Sequence, residues 1–419
     1  MNVRPAATLL VSYGSLLVAL NPVAALADWI PIGPYGGSIQ ALGLDPAHPQ
    51  DLWAVTHTYP VAPTTFVSTD RGASWQPAGR LELPYAFGLV CDPFQPGLLY
   101  AASHGPEIWR STDAGASWSY VTAAGNPQSV APDPAVPGRL FAAGYCESTG
   151  YPYPAAFRST DFGLTWAATK LDSSIGVLKV CRADPTRPGI AYAGGDTGRL
   201  FRTTDAGASW QARNSGLPRD DAVLSLAVSR VDPRILLAGT NSGLFRSTDA
   251  GAQWQPVPSL KKVMAVEFSS AVSGLAYALG KDPGELLYVS TDSGATWTAQ
   301  PPDTMMRLAT VMLADPEQAG TVYLVCRRGI LKTIDSGQTW ALANQGMRFG
   351  RATNIGVSPR NERELWVGCD DCRVFASPAM GDSWTLRNGF WCIENGACRS
   401  LVVVPEPTGD VVYGFEGRG

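Results

Sequence analysis

The residues able to do chemistry in this chain are few and scattered: three His, eight Cys and a spread of carboxylates. Three His leave little room for a His-rich metal site, and no metal or other cofactor is expected. Gly280-Lys281 lacks the upstream Gly and following Ser/Thr of a phosphate loop. Neither a Gly-x-Ser-x-Gly nucleophile elbow nor a His-Glu-x-x-His helix occurs. What remains is carboxylate chemistry. Glycoside hydrolysis needs two carboxyl groups about 5–10 Å apart across a sugar, and Glu147, Asp196 and Asp370 are the candidates to supply them. Among the cysteines, Cys392 and Cys398 bracket a short loop and form the first expected disulfide. Cys369 and Cys372 either close a tight turn together or cross to that loop. A four-thiolate zinc site has permissible spacing here, but an oxidising compartment disfavours it. Cys91, Cys146, Cys181 and Cys326 stand in apolar runs and read as buried thiols.

The compartment follows from the first residues. One basic residue, Arg4, precedes an apolar stretch from Ala6 to Leu20. Asn21-Pro22 breaks it, and Ala25-Leu26-Ala27 places small residues before Asp28. This is the layout of a cleaved signal peptide over residues 1–27, so a secreted or periplasmic location is expected. No later segment is apolar enough to span a bilayer. With 32 Lys+Arg against 36 Asp+Glu and no basic run, a basic nucleic-acid surface is disfavoured and no nucleic-acid partner is expected.

The elements that must position these residues come from a repeat. STDRGASW, ending at Trp75, returns as STDAGASW (Trp118), STDFGLTW (Trp166), TTDAGASW (Trp210) and STDAGAQW (Trp254). It continues as STDSGATW (Trp297), TIDSGQTW (Trp340) and the degenerate SPAMGDSW (Trp384), with Trp spacings of 43 to 48. Such a period signals a propeller or array. Each unit reads as four short strands, the second being small and apolar throughout (LWAVT, LYAAS, LFAAG, AYAGG, LLAGT, AYALG, VYLVC, LWVGC), as suits a strand stacked between neighbours. The carboxylates Asp70, Asp113, Asp161, Asp205, Asp249, Asp292 and Asp335 should bond to turn backbone, and each Gly should take positive φ. Each Trp should bury its ring against the residue two before the motif, such as Phe66 or Phe201. All of these are read as structural staples.

S-x-D-x-G-x-[ST]-W resembles the Asp-box, or BNR, repeat of sialidase-like propellers, sortilin-type receptors and xyloglucanases, and it covers residues 29–419. The resemblance implies an all-β, single closed β-propeller over 28–419. Its units fall at about 38–79, 85–123, 127–169, 174–215, 221–259, 263–300, 306–344 and 350–388, with a partial unit at 398–419. Trp29 opens what resembles a fourth strand, and residues 400–419 resemble two first strands. The expected ring therefore has eight to nine blades, closed by pairing the N- and C-terminal strands. A sialidase would carry Arg-Ile-Pro where this chain has Trp29-Ile30-Pro31, which argues against that activity. A xyloglucanase would need two propellers around a cleft, more than this length provides.

One face of such a ring carries the strand-two exits: His57, His104, Tyr145, Asp196, Asn241, Lys281, Arg327 and Asp370. They vary from unit to unit, as a ligand site would. The third unit adds an aromatic insertion, Tyr145-Cys146-Glu147 to Tyr151-Pro152-Tyr153, whose rings can stack on sugars or anchor a protein. Because the insertion lies outside the repeat, Tyr151→Ala and Tyr153→Ala are expected to leave stability intact. The expected ligand site comprises His57, His104, Tyr145, Tyr151, Tyr153, Asp196 and Arg327. The function expected is a non-catalytic carbohydrate- or protein-binding module, with a glycoside hydrolase as the alternative, and glycans or extracellular proteins are its expected partners.

Overall fold

The computed structural model describes residues 38–343 apart from short stretches and, beyond them, strands between 352 and 417. These fall into two compact units, one over 39–347 and one containing 348–419. The first is a ring of seven four-stranded antiparallel sheets, spanning 38–80, 86–122, 126–170, 178–212, 223–257, 261–299 and 311–342. The second holds a four-stranded sheet within 352–386 and a two-stranded ribbon of Ala397–Glu406 and Gly409–Gly417.

Strand composition sets the layers. Second strands such as Leu99–Ser103, Ala191–Gly195, Leu236–Thr240 and Val322–Cys326 are buried along their whole length, because each is covered on both faces by neighbouring blades. Fourth strands such as Gln211–Ala212 and Thr298–Ala299 are short and exposed, forming the outer rim. First strands line the centre. Several carry a bulge, as between Leu178 and Val180, and side chains of one first strand reach the backbone of the next. Ser129 Oγ, for example, accepts from Cys181 N at 3.2 Å.

Each of the seven Asp-boxes in the ring is a closed hydrogen-bond circuit. In blade four the Thr203 hydroxyl donates to Asp205 Oδ1 at 2.8 Å and accepts from Gly207 N at 2.9 Å. The Asp205 carboxylate then accepts from Ser209 N at 2.9 Å and from the Ser209 hydroxyl at 2.6 Å. The carboxylate thus reaches four residues on, further than the two-residue turn bond expected. Gly207 has φ +83°, as the motif requires, and the preceding Ala206 is also left-handed at 59°. That second strained residue recurs as Arg71, Ala114, Phe162, Ala250, Ser293 and Ser336. Trp and its partner share a core as expected: Phe245 with Trp254, and Phe201 with Trp210. Trp210 additionally meets Phe141 of blade three edge-on at 6.5 Å.

These circuits make folding acid-sensitive. Hydroxyl donation from Ser209, and from Thr339 and Thr333, holds Asp205 and Asp335 down to about 2. A depressed carboxylate contributes stability that is present above its unfolded value of about 3.9 and lost as pH falls through its folded value. Melting temperature is therefore expected to fall between about pH 4 and pH 2 in a series of thermal melts. A flat profile over that window would contradict the circuit.

The blade count and closure expected from the repeat are corrected by the contacts between blades. Arg110 Nε donates to Phe162 O at 3.0 Å from blade two to blade three, and Arg246 Nε to Ser293 O at 2.9 Å from five to six. The same bond runs from blade seven to blade one, where Lys332 Nζ donates to Arg71 O at 2.8 Å. Trp75 Nε1 reaches Ala343 O at 2.8 Å across that joint, as Trp254 Nε1 reaches Arg213 O at 2.8 Å between blades five and four. Arg71 also pairs with Asp315 at 3.2 Å and Glu317 at 2.7 Å. Blade one therefore occupies the place that an eighth blade would need, and the ring closes at seven through the joint between blades seven and one. The eighth motif places Ala379 where the others have Asp, so it lacks the carboxylate of the circuit. Trp384 lies outside the described residues.

Candidate functional site

The strand-two exits and the starts of the first strands share one face of the ring, because every blade runs one-two-three-four in antiparallel order. His104, Arg327 and Asp370 lie outside the described residues. His57 ends the strand Leu52–His57 and Tyr151 opens Tyr151–Ser159, but the side chains of both fall outside what is described. Asn241 is exposed, Lys281 and Tyr145 are half-buried, and Glu147 is exposed.

The insertion in blade three extends its hairpin instead of forming the loop expected. Leu140–Ser148 pairs with Tyr151–Ser159, placing Tyr145 opposite Pro154, Cys146 opposite Tyr153 and Glu147 opposite Pro152. Tyr153 packs against the cluster containing Leu140, Ala142, Cys146 and Phe157. Its hydroxyl is hydrogen-bonded to the Cys146 sulfur, and the Lys170 ammonium sits 4.2 Å from its ring centre. Tyr153 is thus part of the blade's packing, and Tyr153→Ala is expected to cost about 1–2 kcal/mol. Thermal denaturation checks this, and an unchanged melting temperature would return Tyr153 to the free surface.

Asp196 is held in place by its neighbours. Its Oδ1 accepts from Val177 N at 3.0 Å, and Lys179 Nζ lies 3.7 Å from its Oδ2. The cysteines read as buried thiols are buried: Cys91, Cys146, Cys181 and Cys326. Burial pushes the Cys181 thiol up to about 12, so it is not a nucleophile at neutral pH. The disulfide expected among Cys369, Cys372, Cys392 and Cys398 falls outside the described side chains. Among the described residues no group of three or more His, Cys, Asp or Glu is placed to hold a metal.

Sequence reasoning expected a central channel but missed the charged residues that line it. A cavity of about 490 Å³ is walled by first strands of all seven blades, with Leu42, Leu89, Val130, Val180, Leu224, Val266 and Met312 among its lining. Lys179, Arg182 and Glu267 are the charged members of that wall. Burial pushes the Glu267 carboxyl up, and the Arg182 guanidinium pulls it back. Aligning first strands on the residue that anchors the following turn would have revealed both residues, because the other five blades place Gly43, Val90, Ala131, Ala227 and Leu313 there. The anchors themselves, Asp45, Asp92, Asp133, Asp184 and Asp315, are buried and cap turn backbone, as in Asp92 Oδ1 accepting from Phe94 N at 2.9 Å.

Residues 158–388 match the family model described as photosynthesis system II assembly factor YCF48. The chain belongs to this BNR-repeat family. Two further likenesses bear on it in sequence. A Paenibacillus sp xyloglucanase is 31% identical over 218 residues, covering 46% of this chain and 18% of that protein. The dispase autolysis-inducing protein of Streptomyces mobaraensis is 32% identical over 281 residues, covering 61% of this chain and 71% of that one. The BNR chain thus spans less than a fifth of the xyloglucanase, at 18% of its length. In structure, an ancestral GH74 enzyme aligns with TM-score 0.71 at 16% identity, over 94% of this chain and 60% of that one. YCF48 bound to D1 peptide aligns with TM-score 0.53 at 18% identity, over 72% and 94%. At such identities these two structures establish the propeller fold of the BNR chain alone.

Proposed function

We propose that this chain is an exported binding or scaffold propeller without catalytic turnover, whose partner is a glycan or an extracellular protein. The observation that carries this reading is the supply of carboxylates. Among the described residues lining the channel cavity, Glu267 is the one carboxylate, whereas glycoside hydrolysis needs two, about 5–10 Å apart. On the exit face, Asp196 is already occupied by Val177 N and Lys179. The extended hairpin of blade three, with Tyr145, Glu147 and Tyr151, supplies the irregular surface on which binding would concentrate, joined in this reading by His57, His104 and Arg327. The signal-like residues 1–27 support export to the periplasm or beyond.

A glycoside hydrolase is the second reading. Its support is the 31% identity to a xyloglucanase, and it would use Glu147, Asp196 and Asp370. Retention of the full chain on immobilised xyloglucan, read beside Tyr151→Ala, tests the binding half of the proposal. An affinity about tenfold weaker in Tyr151→Ala, or about 1.4 kcal/mol, is the expected result for a stacking residue. Equal retention of the two proteins would remove the hairpin from the site.

A further inference from the structure

The channel pair Arg182 and Glu267 serves neither the Asp-box circuits nor the exit face. Both stand two residues before the turn anchor of their first strand, in blades four and six, with Ala227 of blade five at the same position between them. The wall around them is apolar, contributed by Val180, Leu224, Met264, Val266, Phe268 and Met312. Charges in such a wall are costly unless something pairs with them.

Among the described residues no direct hydrogen bond or close ion pair joins them to each other, although the Arg182 guanidinium is near enough to pull the Glu267 carboxyl down. Arg182 spends Nη1 on Cys181 O at 3.2 Å and keeps further N–H groups unused. Glu267 accepts no hydrogen bond from any described residue, and no ion pair within 4 Å joins it to Arg182. Glu267 is partly exposed and lines the cavity, so its exposure is to the channel. Lys179, the other cation of the wall, is taken by Asp196 at 3.7 Å. The cavity of about 490 Å³ lies within the range of small-molecule sites, which are mostly apolar with a few placed polar groups.

We propose that the channel binds a small apolar zwitterion of the α-amino-acid class. Its carboxylate lies on Arg182, its ammonium on Glu267, and its side chain against Met264, Val266 and Met312. Two opposite, separately held charges with an apolar wall match a head group that carries both signs on one carbon and an aliphatic tail. A guanidinium suits the carboxylate end because it offers parallel N–H donors. Pairing with the ammonium would also give Glu267 the direct hydrogen-bonded partner that Arg182, acting on it only through space, does not provide. The lining includes Pro46, Pro93, Pro134 and Pro316 of the turns between strands one and two, so the cavity reaches the face opposite the strand-two exits. Success or failure here is therefore separable from the exit-face reading.

The test is calorimetric titration of the full chain with L-leucine, N-acetyl-L-leucine and L-leucinamide, for the native sequence, Glu267→Gln and Arg182→Gln. The native chain is expected to bind leucine at least tenfold more tightly than either analogue, each of which lacks one charge. Glu267→Gln should weaken leucine at least tenfold while leaving N-acetyl-leucine unchanged. Arg182→Gln should weaken leucine and N-acetyl-leucine while leaving leucinamide unchanged. If either variant fails to fold by circular dichroism, the three ligands on the native chain still decide. Equal affinity for all three, or no heat from leucine at millimolar concentration, overturns the proposal.

Discussion

Trp75→Ala is expected to destabilise the ring by about 3–5 kcal/mol, among the largest losses a single substitution in this chain can cause. Trp75 is 2% exposed, and its indole donates to Ala343 O at 2.8 Å across the joint between blades one and seven. Truncation leaves a cavity at the seam and removes a partner from that buried carbonyl, so the transfer, cavity and hydrogen-bond losses combine. Trp118 occupies the same place in its own motif but is half-buried, and its indole N–H is shared at 3.2 Å between Gly115 O of its own turn and the Thr65 hydroxyl of blade one. Trp118→Ala should therefore cost less. Urea denaturation of the two variants checks the order. A loss below about 1 kcal/mol for Trp75→Ala would mean that blade one does not seal the ring.

The second large effect is expected for Gly207→Val, at a few kcal/mol. Gly207 has φ +83°, a region that a β-branched residue opposes, and an added Cβ would lie 3.3 Å from the Arg158 Cβ and 3.5 Å from the Phe141 ring. The motif cannot shift to relieve this, because Gly207 N is bound to the Thr203 hydroxyl and Ser209 N to Asp205. The measurement is the melting temperature of the variant, and no change would contradict the left-handed turn.

The contrast between these two positions shows what could be read in advance. The Gly207 turn is local: Thr203, Asp205, Gly207 and Ser209 lie within seven residues, so their types and spacing identify the circuit. The seam at Trp75 is not local. It depends on Arg71 meeting Asp315, 244 residues away, and nothing in the period says after how many units the ring returns on itself. Counting motifs therefore overestimated the blades. The blade-three hairpin was legible as an insertion of three Tyr, but its composition did not show that Tyr153 packs beside Lys170 while Glu147 stays in solvent. Arg182 and Glu267 were overlooked for a related reason. Each looks ordinary within its own strand and stands out only when the first strands are compared in the register the ring imposes.

The central claim, a propeller that binds without turnover, is tested most directly by assaying release of reducing ends from xyloglucan by the purified full chain. The account predicts release no greater than that of a protein-free control over an extended incubation at neutral and mildly acid pH. Release well above the control, and abolished by Glu147→Gln or Asp196→Asn, would contradict it and establish the hydrolase.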